Sequence, residues 1–258
     1  MKHRISYGLI ALYARVLETG LLDRPRAQRA FEAAYLTWKG LLEAGPINGL
    51  STLVTNGSTI FDVGANIGFF SVRFARWVGP DGRVIAIEPE ARNIDSLRRR
   101  IGQAGIADIV ECVPAAAADK PGELRLAITR GHPADHHLSD TGVLIPAVTL
   151  DDLAAKDPRP VSLIKIDVQG AETMVVAGAR ELIATHRPAI FVEIDAPSLA
   201  RCGSSPRELI EALTELGYRP HQLTRDGVGD VETTSELVAR TAKGYIDVLF
   251  IWAEHPSG

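Results

Sequence analysis

From residue 58 the chain alternates between two hydrophobic rhythms. Short apolar runs rich in Val, Ile and Phe occupy 59–63, 83–87, 108–113, 161–167, 189–194, 218–223 and 245–252. Amphipathic stretches with apolar spacings of three and four separate several of them: from Gly68 to Trp77, 91–101, 170–185 and 206–216. Brief apolar runs bounded by turn residues predict strands, and the longer period predicts helices. Their alternation predicts an α/β fold, with a doubly wound, mostly parallel, seven-stranded sheet buried on both faces.

Residues 114–150 interrupt the rhythm. Lys120-Pro121-Gly122 is a turn signal, 123–128 alternates with period two, and 144–148 is a further short apolar run. These predict strands outside the parallel ladder, joined by a polar loop over 129–142. Thr149-Leu150-Asp151-Asp152 has the spacing of a helix cap. The connection 225–243 reads as polar, with some helical character. Before residue 45 only helical periodicity occurs: Leu9, Leu12, Tyr13, Val16 and Leu17, then Ala30, Phe31, Ala34, Tyr35, Trp38, Leu41 and Leu42. The predicted organisation is an N-terminal helical extension over 1–49 and an α/β domain over 50–258.

Composition narrows the function. The 258 residues are 46% apolar and 23% charged, which fits a globular chain and not a disordered one. The net charge of −4 argues against a dedicated nucleic-acid binder, which needs cations for phosphate. Cys112 and Cys202 are the only cysteines and form no metal-spaced pair. Two thiols fit a reducing compartment, and a cytoplasmic location is expected. Arg15 interrupts the first apolar stretch, so no membrane span is expected. Weak association of the N-terminal helix with a membrane surface stays open, as does homo-oligomerisation.

The chemistry concentrates in Phe61-Asp62-Val63-Gly64-Ala65-Asn66-Ile67-Gly68, a glycine turn between a strand and a helix. Glycines there permit unusual backbone angles, and a ligand lies at the carboxyl ends of the strands in an open sheet. The spacing is Gly-x-x-x-Gly and lacks the middle glycine that admits a pyrophosphate. Asp62 at the strand end would repel pyrophosphate but suits an ammonium or sulfonium group. Glu88 ends the next strand, where a carboxylate grips ribose hydroxyls. S-adenosylmethionine has all the matching groups: amine, carboxylate, diol and positive sulfur. A plain structural turn is the competing reading.

Four segments together resemble the FkbM-type methyltransferases: Asp62 to Gly68, Glu88-Pro89, Thr149-Leu150-Asp151-Asp152-Leu153, and Leu163-Ile164-Lys165-Ile166-Asp167-Val168-Gln169-Gly170-Ala171-Glu172. The last is the most specific, and Gln169 stands where that family more often has Glu. The resemblance covers about 58–195. It implies a class I, Rossmann-like methyltransferase fold and methyl transfer, usually to a hydroxyl of a sugar, polyketide or similar metabolite. It also implies that Asp62, Gly64, Asn66, Gly68 and Glu88 bind the cofactor.

Transfer to a hydroxyl requires alignment, water exclusion and removal of a proton. Asp167 and Glu193 end neighbouring strands and are the first and second candidates for the base. The loop Gly131-His132-Pro133-Ala134-Asp135-His136-His137 offers a third in His136 or its neighbour His137, since imidazole accepts protons near neutral pH. No metal is expected there. Lys165 lies within a buried run, so its head must reach a carboxylate or its face must meet water. Arg98-Arg99-Arg100 reads as a solvated helix face. Two other functions stay open: a nicotinamide-dependent (NAD) oxidoreductase and a non-catalytic binding protein.

Overall fold

The structure is a computed structural model that describes residues 46–127 and 137–253, together with Ala34 and Thr37. A 3-10 helix, Asn48–Leu53, leads into the first strand. Leu50 and Ile47 are buried beneath the sheet, so core packing has begun by Ile47. The proposed boundary at 49/50 falls inside this helix, and the extension before Pro46 lies outside the described residues apart from Ala34 and Thr37.

The main sheet contains β1 (Thr59–Val63), β2 (Arg83–Ile87), β3 (Val110–Val113), β8 (Val161–Ile166), β9 (Ala189–Ile194), β10 (Tyr218–Thr224), β11 (Gly227–Val231) and β12 (Ile246–Trp252). Its order is β11-β10-β12-β9-β8-β1-β2-β3. The five strands from β9 to β3 run parallel, while β12, β10 and β11 are antiparallel additions. The expected α/β class and mostly parallel sheet are therefore present, but the described residues supply eight strands where seven were expected. The extra one is β11. Thr224 pairs with Gly227 across Arg225 and Asp226, a two-residue hairpin followed by glycine. The polarity of that stretch concealed the hairpin.

Alternation along the strands sorts side chains onto two faces. Phe61 and Val63 join Ile85, Ile164 and Ile190 on one face. That face packs under α3 (Leu150–Ala154), α4 (Glu172–Ala177), α5 (Arg180–His186) and α7 (Pro206–Glu215), which contribute Leu150, Val175, Leu182 and Leu209. Ile60, Val84 and Leu163 lie on the other, under α1 (Ser71–Val78) and α2 (Ala91–Ala104), with Phe74 and Leu97 fully buried. Asp62 and Lys165 share the parity of this second face, and β1 and β8 place them opposite each other in register.

A second sheet, in order β4-β7-β5-β6, fills the interruption. Its strands are β4 (Ala116–Ala117), β5 (Gly122–Ala127), β6 (His137–Leu138) and β7 (Val143–Val148). The loop expected over 129–142 thus contains β6. The single helix expected over 170–185 is two helices, broken at Gly178. A Cβ on that glycine would come within 2.0 Å of the Ala118 carbonyl, so tight docking on the second sheet's chain occupies the break. Helix α6 (Ala196–Arg201) was not foreseen; Asp195 caps it by accepting hydrogen bonds from Ser198. The last helix, α8 (Thr234–Thr241), carries the reciprocal Thr233–Glu236 capping box.

Candidate functional site

The parallel sheet reverses its winding at β1, which has β2 on one side and β8 on the other. That switch point is where an open sheet leaves a crevice at its carboxyl edge. The turn after β1 is pinned there. Gly64 and Ala65 donate their amides to the Ile87 carbonyl, and Asp167 donates to Val63. Gly64 has φ +74°, and a Cβ would lie 1.8 Å from the Asp167 carbonyl oxygen. The glycine therefore serves the close approach of two loops. Gly68, at φ +86°, would meet Leu97 at 2.7 Å. Asn66 also adopts a left-handed backbone, at φ +49°, and its side chain accepts from the Ile67 amide.

Beneath this turn lies a buried charge cluster. Asp62 is fully enclosed; its Oδ2 accepts from Ser71 Oγ at 2.6 Å. Among the described residues its Oδ1 has no hydrogen-bond donor, but it sits 3.5 Å from Lys165 Nζ. Lys165 is 2% exposed and donates to the carbonyls of Val63 and Gly64 at 3.1 and 2.8 Å. Its Nζ is also 3.6 Å from Asp167 Oδ2 and 5.2 Å from the centre of the Phe70 ring. The lysine head thus reaches carboxylates, one of the two outcomes expected from its place in a buried run. Lys165 thus lies between the two carboxylates.

Glu88 stands at the carboxyl end of β2. Its Oε2 accepts from the Asn66 amide at 2.9 Å, and its Oε1 from the Glu90 amide and the Asn93 side chain. Burial pushes its carboxyl from 4.5 up to about 6, although the Glu90 amide, the Asn93 side chain and the Asn66 amide pull the other way. The Asn66–Glu88 bond ties the glycine turn to this acid.

The loop after β8 carries the proposed base. Gln169 adopts φ +56°, and its Nε2 donates to Asp167 Oδ1 and to Glu193 Oε1, each at 3.3 Å. The two candidate acids are therefore brought together, with an amide between them. Glu172, nearly enclosed in the first turn of α4, latches the loop by accepting from the Val168 and Gly170 amides. Burial raises its carboxyl, with nearby Asp167 adding to the effect. A Cβ on Gly170 would lie 2.2 Å from the Ser198 carbonyl, which closes the loop's remaining freedom.

The histidine loop is a separate matter. His136, the third candidate base, lies outside the described residues. His137 pairs with Ala127 in the second sheet. Among the described residues, no hydrogen bond or ion pair joins it to Asp167, Gln169 or Glu193. Sequence reasoning did not find Ser71, Asn93 or the bridge made by Gln169. A hydroxyl opening the helix after the glycine turn was the available signal for Ser71; the other two depend on loop paths.

Residues 62–220, more than half of the chain, match the methyltransferase FkbM domain. The chain belongs to the FkbM methyltransferase family, as its motifs had suggested. No curated protein sequence matches significantly. Among solved structures, an FkbM methyltransferase from Methylobacillus flagellatus is 18% identical, with a TM-score of 0.46 over 86% of this chain. This chain spans 54% of that protein's length. Cofactor-bound Rv0187 from MTB is 18% identical, with a TM-score of 0.47 over 83% of this chain and 81% of that one. An O-methyltransferase from Bacillus cereus, in complex with SAH, is 16% identical, with a TM-score of 0.45 over 82% and 81%.

Proposed function

We propose that this chain uses S-adenosylmethionine to methylate a hydroxyl oxygen of a small molecule, such as a sugar, polyketide or other secondary metabolite. Family membership supports methyl transfer. The observation that carries the rest is the placement of Asp62, Glu88, Asp167 and Glu193 at one edge of four neighbouring strands. Such an edge fits a cationic, diol-bearing cofactor better than a pyrophosphate, and this disfavours a nicotinamide dinucleotide. The acids at this edge, with Asp62 and Asp167 both beside Lys165, fit the same group.

When bound, S-adenosylmethionine supplies an electrophilic methyl group on a sulfonium. Glu88 and Asn66 would hold the ribose end, while Gly64 and Gly68 shape the turn. Asp62 is enclosed, so its part is a charge held under the turn by Ser71 and Lys165. Asp167 accepts the hydroxyl proton as the acceptor oxygen gains its methyl, and Glu193 is the second choice. Lys165 Nζ, 3.6 Å from Asp167 Oδ2, sets a positive charge beside the base.

Isothermal titration with S-adenosylmethionine, S-adenosylhomocysteine and NAD tests the cofactor. Mass spectrometry for a product carrying one added CH₂ tests the acceptor class, using metabolite extract as the source. Asp62→Ala weakens cofactor binding, whereas Asp167→Asn spares binding and slows transfer by about 100-fold or more. Equal loss of binding in both variants, each with a native unfolding midpoint, would reject that division of roles. Tight NAD binding without a response to S-adenosylmethionine would overturn the reading.

A further inference from the structure

We propose that Gln169 is the positioning residue of the acid pair: its side-chain amide bridges Asp167 and Glu193 and holds both carboxylates ready as proton acceptors. A single nitrogen, Nε2, reaches both acids at 3.3 Å. Two carboxylates that share one neighbour repel, and a donor between them offsets that repulsion. An amide nitrogen carries two hydrogens and no net charge. It can therefore serve both acids without drawing either away from its task.

The loop is shaped to keep the amide there. A non-glycine residue at φ +56° is strained, and such strain persists only where its surroundings over-determine it. Here Glu172 grips the amides on either side of Gln169, and Gly170 abuts the Ser198 carbonyl. Gly64 abuts the Asp167 carbonyl from the β1 side. The other charged groups around the pair are Lys165, 3.6 Å from Asp167, and Asp62 across it on β1. Glu172 on α4 and Asp247, which pairs with Glu193 in register on β12, also face the pair among the described residues. A neutral donor serves Asp167 and Glu193 together without adding charge to either.

The proton-accepting role rests on the methyl-transfer reading, but the bridge does not. Its test therefore uses the full chain without cofactor or acceptor. Side-chain ¹³C NMR follows the carboxyls of Asp167 and Glu193 through a pH titration, with Asp167→Asn and Glu193→Gln giving the assignments. Gln169→Leu removes the donor, and Gln169→Glu replaces it with a third acid of the same shape. At least one of the two carboxyls should titrate about one pH unit or more higher in the leucine variant, and higher still in the glutamate variant. Titrations that coincide in all three proteins would overturn the bridge. Should the leucine variant fail to fold, wild type against Gln169→Glu decides alone. A wild-type bridge with no methylated product would instead count against the function proposed above.

Discussion

At the carboxyl edge of the parallel strands stand Asp62, Glu88, Asp167 and Glu193, with Lys165 among them. At the opposite edge of β1, β8 and β9 lies a cavity of about 430 Å³. Its lining includes Ser58, Ser162, His186, Arg187 and Trp252, with Leu53, Pro160 and Pro188. Its polar groups mostly satisfy one another. Ser58 and Ser162 share a hydrogen bond of 2.7 Å, His186 Nδ1 accepts from the Val161 amide, and Arg187 stacks on Trp252 at 3.9 Å. Left-handed residues occur at both edges. At the amino edge Arg187 merely ends a helix, whereas Asn66 and Gln169 aim hydrogen bonds at acids. The contrast teaches that the two edges differ in how their polar groups are held. At the amino edge hydroxyls pair with one another and an arginine stacks on a ring, while the carboxyl edge encloses charge that only tertiary packing can stabilise.

The largest test of that contrast is Lys165→Met. It leaves the enclosed Asp62 and the partly buried Asp167 without their shared cation. Loss of one member of a buried ionic group costs about 3–5 kcal/mol, to be read from urea denaturation at neutral pH. A loss below about 1 kcal/mol would mean that the cluster is no more demanding than the hydroxyl pairs at the other edge.

Glu88 gives a smaller effect with a definite sign. Its carboxyl is raised in the folded chain, from 4.5 to about 6, so the native state binds a proton more tightly than the unfolded chain. The stability it contributes is present below about pH 4.5 and is lost as pH rises through 6, a change of about 2 kcal/mol. Cofactor affinity should move the opposite way, because the ionised form accepts hydroxyl hydrogen bonds. Titration calorimetry at pH 5 and 7.5 would show tighter binding at the higher pH, and Glu88→Gln would flatten both trends. Affinity that weakens as pH rises would contradict the assignment of Glu88 to the ribose.

The smallest change belongs to the amino edge. Arg187→Ala removes the stacking on Trp252 and should cost about 0.5–1 kcal/mol, with S-adenosylmethionine affinity unchanged. A clear fall in affinity would join the two edges into one functional unit.

Much of the site was legible in the chain itself because its positions follow from strand ends. Asp62, Glu88 and Asp167 each fall where an apolar run stops, and in parallel strands that point is the carboxyl edge. Gly64 and Gly68 were read correctly as a turn, but the reason for the first differs from expectation: it admits the Asp167 loop. The bridge made by Gln169 was not legible, since it depends on a left-handed residue and on the offset of two strands. The break at Gly178 was equally hidden, because helical periodicity runs through it while the obstructing carbonyl belongs to Ala118, some sixty residues earlier.

By itself the sequence determined the alternating β/α order, the two-faced burial of the strands and the family motifs. These arise from local periodicity and from residue types at turns. Only the tertiary structure decided that Lys165 would sit between Asp62 and Asp167, that Gln169 would join Asp167 to Glu193, and that β11 would extend the sheet to eight strands. Those outcomes depend on register, loop path and the need to pair every buried charge. A one-dimensional pattern does not encode them until the strands lie side by side.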